Sequence, residues 1–176
     1  MSEATTPARA QQPTGRRRRR GALIAVVVII AAALVGTTWW SVRSYGVPSE
    51  SMAPTLNPGD HVLVDRLTYR LTGLRRGDLV IYRRPQFGIE ALGRVVGLPG
   101  DHLSCQNDRL YLGSAPAEEP YLPAGTLTEH CTRLTVPPDT LYLLGDHRSV
   151  SADSRYFGPV HRDQVVGRVL TRYRTG

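Results

Sequence analysis

The chain of 176 residues contains no lysine, and all 22 of its basic side chains are arginine. No side-chain amine is therefore available as a nucleophile or tunable base, because a guanidinium stays protonated at any working pH. Only two cysteines are present, Cys105 and Cys131, so at most one internal disulfide can form. Past the first forty or so residues there is no convincing amphipathic helix. Excess positive charge is also missing from most of the chain. Six arginines (Arg9 and Arg16 to Arg20) and one acid, Glu3, precede an apolar run, leaving 16 basic and 14 acidic residues behind it. The net charge of +7 thus belongs to a short tail that suits a membrane surface, and the near-neutral remainder gives no reason to expect a nucleic-acid partner. With 41% apolar residues, nothing suggests wholesale disorder, and the length suits one domain plus an appendage.

Residues 1–20, rich in Ser, Thr, Pro, Gln and Arg, have almost nothing to bury and are expected to form a disordered basic cytoplasmic tail. Gly21 to Trp40 (GALIAVVVIIAAALVGTTWW) carries no charge, and about twenty residues of helix span about 30 Å of hydrocarbon. The arginine block marks the cytoplasmic end, and Trp39-Trp40 sit where an interfacial aromatic belt anchors the other. This predicts a transmembrane helix over 21–42, with residues 43–176 outside the cytoplasm. The alternatives are a cleavable signal peptide, which would want small residues where the tryptophans stand, and a buried helix, which would have to accommodate the arginine block. An oxidising compartment lets Cys105 and Cys131 join. A zinc site using the adjacent His102 and His130 is the competing reading.

Short Val/Leu/Tyr-rich runs follow. Asp60–Leu71, Asp78–Tyr82, Leu92–Leu98, Asp108–Leu112, Thr140–Leu144 and Gln164–Tyr173 read as strands, the first from alternation in its first half. Asn57-Pro58-Gly59-Asp60, Arg75-Arg76-Gly77-Asp78, Pro99-Gly100-Asp101 and Pro137-Pro138-Asp139 read as the turns between them. The Gly-Asp pairs at Asp60, Asp78, Asp101 and Asp146 allow a carboxylate cluster for a cation. The first three each precede a strand, however, where aspartate bonds nearby amides in a turn. The outcome is an antiparallel all-β domain, with residues 106–135 as a small inserted hairpin and loop.

Val47 to Leu56 (VPSESMAPTL) sets two serines between two prolines just past the apolar run. Each proline fixes its own φ and biases the residue before it toward extended geometry, so Ser49, Glu50 and Ser51 are expected on a short rigid loop; turn-forming serines are the plain alternative. Four further stretches follow in order: Gly59–Asp65 (GDHVLVD), Arg76–Tyr82 (RGDLVIY), Gly93–Asp101 (GRVVGLPGD) and Gly145–Gly158 (GDHRSVSADSRYFG). Together they resemble the boxes of bacterial type I signal peptidases, the membrane-bound serine peptidases that cut signal peptides from exported proteins. The resemblance covers nearly all of the chain past the tail. It implies a mainly β fold: an antiparallel, coiled, barrel-like catalytic domain behind one N-terminal transmembrane helix at the plasma membrane. Exported preproteins and the lipid bilayer would be its partners, with neither cofactor nor metal.

By the same resemblance Ser51 is the nucleophile, Ser49 with the Ser51 amide holds the oxyanion, and Met52 helps line the substrate pocket. Ser151 orients the base, while Asp153 and Arg155 form a structural brace. The family's base is a lysine whose burial depresses its pKa until a neutral amine is available. Its position here is Gly93, and neither glycine nor the neighbouring Arg94 can accept the serine proton. Eukaryotic and archaeal relatives use histidine, yet none of His61, His102, His130, His147 and His161 falls at that position. His147 lies where the family usually has asparagine. Glu50 adjoins Ser51, but neighbours on an extended loop point opposite ways. Two readings stay open: a serine endopeptidase, or a non-catalytic homologue that binds preproteins or assists an active paralogue.

Overall fold

Runs rich in valine and leucine build eleven strands among the residues described by the computed structural model, which are 24–32, 36, 41–85 and 87–174. These are β1 (Val42–Gly46), β2 (His61–Asp65), β3 (Leu79–Arg83), β4 (Glu90–Gly97), β5 (His102–Gln106) and β6 (Arg109–Leu112). They continue with β7 (Ala115–Pro116), β8 (Leu134–Thr135), β9 (Thr140–Leu144), β10 (Val160–His161) and β11 (Val165–Tyr173). A seven-stranded sheet runs in the order β1-β2-β11-β3-β4-β9-β10, and a four-stranded sheet in the order β7-β6-β5-β8. Every pairing is antiparallel. Register shifts at Val95/Gly97, Val165/Gly167 and Val169/Thr171 insert extra residues, which bend and twist the larger sheet.

Period-two alternation sorts side chains to the two faces of that sheet. On β3, Val80 and Tyr82 join Val95, Leu141, Leu143, Val160 and Val165, whereas Ile81 joins Met52, Leu56, Val62, Val64 and Val166. Both faces are therefore covered, which is why β3 reads as a continuous apolar run. A third cluster of Val96, Leu103, Leu110, Val136, Tyr142 and Leu144 seats the smaller sheet. Each fully buried aliphatic side chain contributes about 1.5–3 kcal/mol.

Three of the expected turns share one device. The carboxylates of Asp60, Asp78 and Asp101 accept from the amides three residues back, Asn57 (2.9 Å), Arg75 (2.8 Å) and Leu98 (2.5 Å). The run Asp60–Leu71 is a strand only in its first half. Asp65 accepts from the amides of Leu67, Thr68 and Tyr69 at 2.8–3.0 Å and so starts a short helix, Thr68–Thr72. A second short helix, Ser154–Phe157, is capped by Asp153. Strands β1, β5 and β10 were not expected from the sequence. Cys105 and Cys131 are joined in a disulfide with Cα atoms 5.8 Å apart, while His102 bonds Thr135 and His130 lies against the Tyr156 ring.

The chain divides into two units between Trp39 and Trp40. In the first, residues 24–32 are helical and carry exposed apolar side chains at Ile24 and Val26 to Ile30. Among the described residues no helix is long and apolar enough to cross a membrane. The expected tail over 1–20 and much of the expected span over 21–42, including Trp39 and Trp40, lie outside the described residues; β1 begins at Val42, where that span was expected to end.

Burial in these clusters pushes the phenols of Tyr82 and Tyr142 up to about 12 from the ordinary 10.0. The folded chain then holds both protons more tightly than the unfolded chain. The stability they support is intact below about pH 10 and is lost as pH rises toward about 12. Urea midpoints are expected to be flat up to about pH 10 and to fall steeply above it; a midpoint unmoved at about pH 11.5 contradicts this burial.

Candidate active site

Backbone bonds from Val47 to Asp60 (2.8 Å) and from Gly59 to Val47 (3.0 Å) close the neck of the loop that carries both serines. Ser49 is extended, and Glu50–Met52 then form a single 3-10 turn within the expected loop. The turn is held down from below. Met52 and Leu56, 0% and 1% exposed, pack on Val62, Val64, Ile81 and Val166. Met52, expected to line a pocket, is core: with no exposed surface it anchors the turn instead. Above it the Ser51 hydroxyl lies 3.1 Å from that of Ser49, with Ser51 half-buried and Ser49 exposed. The turn packs against β4, the strand that holds Gly93.

From the other side the loop after β9 closes on the turn. The His147 amide donates to the Ser51 carbonyl (3.0 Å), and its ring Nδ1 lies 3.2 Å from the Glu50 carbonyl. A carbonyl only accepts, so Nδ1 is the donor in this contact. Strands β4 and β9 pair Arg94 with Leu144 and Val95 with Leu143. Continued by one residue, that register sets Gly93 opposite Gly145, and opposed residues of antiparallel strands share a face. A Cβ on Gly145 would run into the Ser151 side chain and come within 2.6 Å of the Ser51 carbonyl. The Ser51 carbonyl and the Ser151 side chain thus both lie against Gly145, at the end of the strand that pairs with β4.

Buried charge fixes this loop. Asp153 and Arg155, with side chains 2% and 1% exposed, pair at 2.8 Å, and Asp153 also accepts from the Gly145 amide (3.0 Å). Arg155 donates onward to the carbonyls of Arg148 (2.6 Å) and Ser151 (3.2 Å). Arg94 binds Asp146 through two bonds, 2.8 and 2.5 Å, and donates to the Gly77 carbonyl (2.8 Å). The Asp146 pairing was not anticipated, although an arginine inside an apolar strand signals a buried acid partner. If the serine-endopeptidase expectation holds, Gly145→Ala lowers cleavage by about 100-fold, because the added Cβ displaces Ser51 and Ser151. Unchanged activity in that variant would mean that this close approach does not shape the site.

A model of the family described as signal peptidase, peptidase S26, matches residues 18–174. The chain belongs to this family. It is 36% identical over 143 residues to signal peptidase I of Bacillus caldolyticus, covering 74% of this chain and 78% of that one. It is 33% identical over 149 residues to signal peptidase IB of Staphylococcus aureus, covering 75% and 78%. A solved signal peptidase I from Enterococcus faecalis aligns with a TM-score of 0.47 at 29% identity, over 56% of this chain and 97% of that one.

Gly93 is the position at which the sequence resemblance expects the family's base. Gly93 is buried, and the space its side chain would take is already occupied: a Cβ there would stand 3.0 Å from Tyr82 Cε1 and 3.4 Å from Leu143 Cβ. Of the five histidines, His147 is the one bonded to the turn that carries Ser51. His61 packs by Tyr173, His102 bonds Thr135, His130 lies by Tyr156, and His161 pairs with Asp163. Two cavities flank the turn and share Pro54. One, of about 530 Å³, is lined by Ala53, Leu127, His130, His147 and Tyr156 among others; the second, of about 470 Å³, is lined by Leu56, Leu79, Tyr121 and Leu170 among others.

Proposed function

We propose that this chain is a membrane-anchored serine endopeptidase of the signal peptidase I type, cutting signal peptides from exported preproteins at the extracytoplasmic face of the plasma membrane. The observation that carries the reading is the Ser49–Ser51 hydroxyl pair, 3.1 Å apart on a turn packed against β4. In this mechanism Ser51 Oγ attacks the scissile carbonyl while the Ser49 hydroxyl and the Ser51 amide receive the oxyanion. The Ser51 proton passes to the amine as the C–N bond breaks and the amine departs, and water then hydrolyses the acyl–serine ester and returns a proton to Ser51. Small residues such as alanine before the cut are seated beside the turn. Anchoring is supported by the uncharged run Gly21 to Trp40 behind the arginine block, and by the exposed apolar side chains of residues 24–32. Asp153 and Arg155 serve as the brace, and Ser151 as the base-orienting position.

A second reading is favoured by one specific feature: with Gly93 under the Tyr82 ring, no amine can accept the Ser51 proton from that side. On it, the chain is a non-catalytic homologue that binds preproteins or assists an active paralogue. Cleavage of a preprotein with an Ala-x-Ala site separates the two. Wild type is expected to cut, and Gly93→Lys, which must displace Tyr82, to add little by itself. If wild type is inert but Gly93→Lys combined with Tyr82→Leu cuts, the second reading holds. A lost general base commonly costs about 10²- to 10⁴-fold, so the gain is large enough to see.

A further inference from the structure

We propose that the disulfide-closed insert over 106–135 is a clamp that positions the serine site, acting through Glu119 and Tyr121. Its catalytic consequence rests on the peptidase reading; the clamp itself does not. The Tyr121 ring lies under the Arg94 guanidinium, with Cζ 3.8 Å from the ring centroid, and its hydroxyl donates to Glu119 Oε1 (2.9 Å). Glu119 in turn grips Arg148 with both oxygens, at 2.5 and 3.2 Å. Thr128, also on the insert, accepts from the same guanidinium. Glu119 and Tyr121 of the insert thus hold Arg148 and Arg94, the two arginines bonded to Gly145 and Asp146.

What those arginines hold is the loop that touches the nucleophile. Arg94 binds Asp146, and Arg148 Nε donates to the Gly145 carbonyl (3.1 Å). Between them His147 sends its amide to Ser51 and its ring to Glu50. The Arg148 and Glu119 side chains are 1% and 13% exposed, and a pair so buried gains little stability over apolar residues of similar volume. Its bidentate geometry does fix position. The Cys105–Cys131 bridge, the bond from the Thr128 amide to the Asp108 carbonyl (2.6 Å) and the bond from Arg155 to the Glu129 carbonyl (3.2 Å) confine the insert. The smaller sheet has its own apolar cluster, so loosening Glu119 or Tyr121 leaves it seated.

Amide hydrogen exchange on the full chain, read by mass spectrometry, tests this. Glu119→Ala and Tyr121→Leu are expected to speed exchange at residues 145–151 by about tenfold or more, with β3 and β11 within about twofold of wild type. Tyr121→Phe, which keeps the ring under Arg94, is expected to stay within about threefold of wild type at 145–151. In preprotein cleavage, Glu119→Ala is expected to lower kcat with KM unchanged. Unchanged exchange at 145–151, or an equal rise in β3 and β11, overturns the clamp. If wild type does not cleave, the peptidase reading falls, and exchange alone still decides the clamp.

Discussion

Ser51→Ala is expected to cut preprotein at no more than about a thousandth of the wild-type rate, because loss of a serine nucleophile removes the covalent route and leaves only binding and oxyanion stabilisation. The neighbouring hydroxyl gives the comparison. Ser49→Ala keeps the nucleophile and removes one oxyanion donor, so a loss of about 10²- to 10³-fold is expected, mostly in kcat. The pair stands 3.1 Å apart, and Ser49 is exposed, so neither change opens a cavity. Both variants should therefore unfold at the wild-type urea concentration. A Ser51→Ala chain that cleaves as well as wild type would remove Ser51 from the chemistry.

Asp146→Ala is expected to cost about 3–5 kcal/mol of stability, the penalty for stranding a buried partner charge. The Asp146 side chain is fully buried and that of Arg94 is 9% exposed, so water cannot replace the two bonds that hold them. Replacing both partners with apolar residues, Arg94→Met with Asp146→Leu, should recover much of that loss, because no unpaired charge then remains. Activity should not recover with it: the loop that bears His147 would be stable but no longer fixed by Arg94. Urea unfolding of the single and paired variants reads the first part. A single variant as stable as wild type would show that the ion pair is not buried as described.

The strands that could be read from sequence were those whose pattern is local. Leu79 to Tyr82 and Thr140 to Leu144 are dense in valine, leucine and tyrosine, and they fold as strands close to the expected bounds. The helix after Asp65 escaped because Leu67, Tyr69 and Leu71 alternate with polar residues as strand residues do; the signal lay in the aspartate, whose carboxylate collects three amides. Strand β1 (VRSYG) is partly polar and owes its conformation to pairing with β2, a contact no local pattern encodes. The family resemblance pointed to Ser49, Ser51, Ser151, Gly93 and the Asp153–Arg155 pair, and of these the structure shows the Ser49–Ser51 contact and the Asp153–Arg155 ion pair. Sequence alone did not indicate Glu119 and Tyr121, because their partners Arg148 and Arg94 lie 29 and 27 positions away, and their meeting depends on how the insert folds back. Nor did it indicate that Tyr82 fills the space beside Gly93, since that depends on the pairing of β3 with β4.

The most direct test is the mass of the peptide Ser44–Arg66, which trypsin releases whole because no other arginine lies within it and the chain has no lysine. After incubation with an Ala-x-Ala preprotein and an acid quench, the account predicts this peptide carrying the signal-peptide acyl group on Ser51, and no such species from Ser51→Ala. Mature product formed with the acyl group on another residue, or with an equal yield from Ser51→Ala, would contradict it.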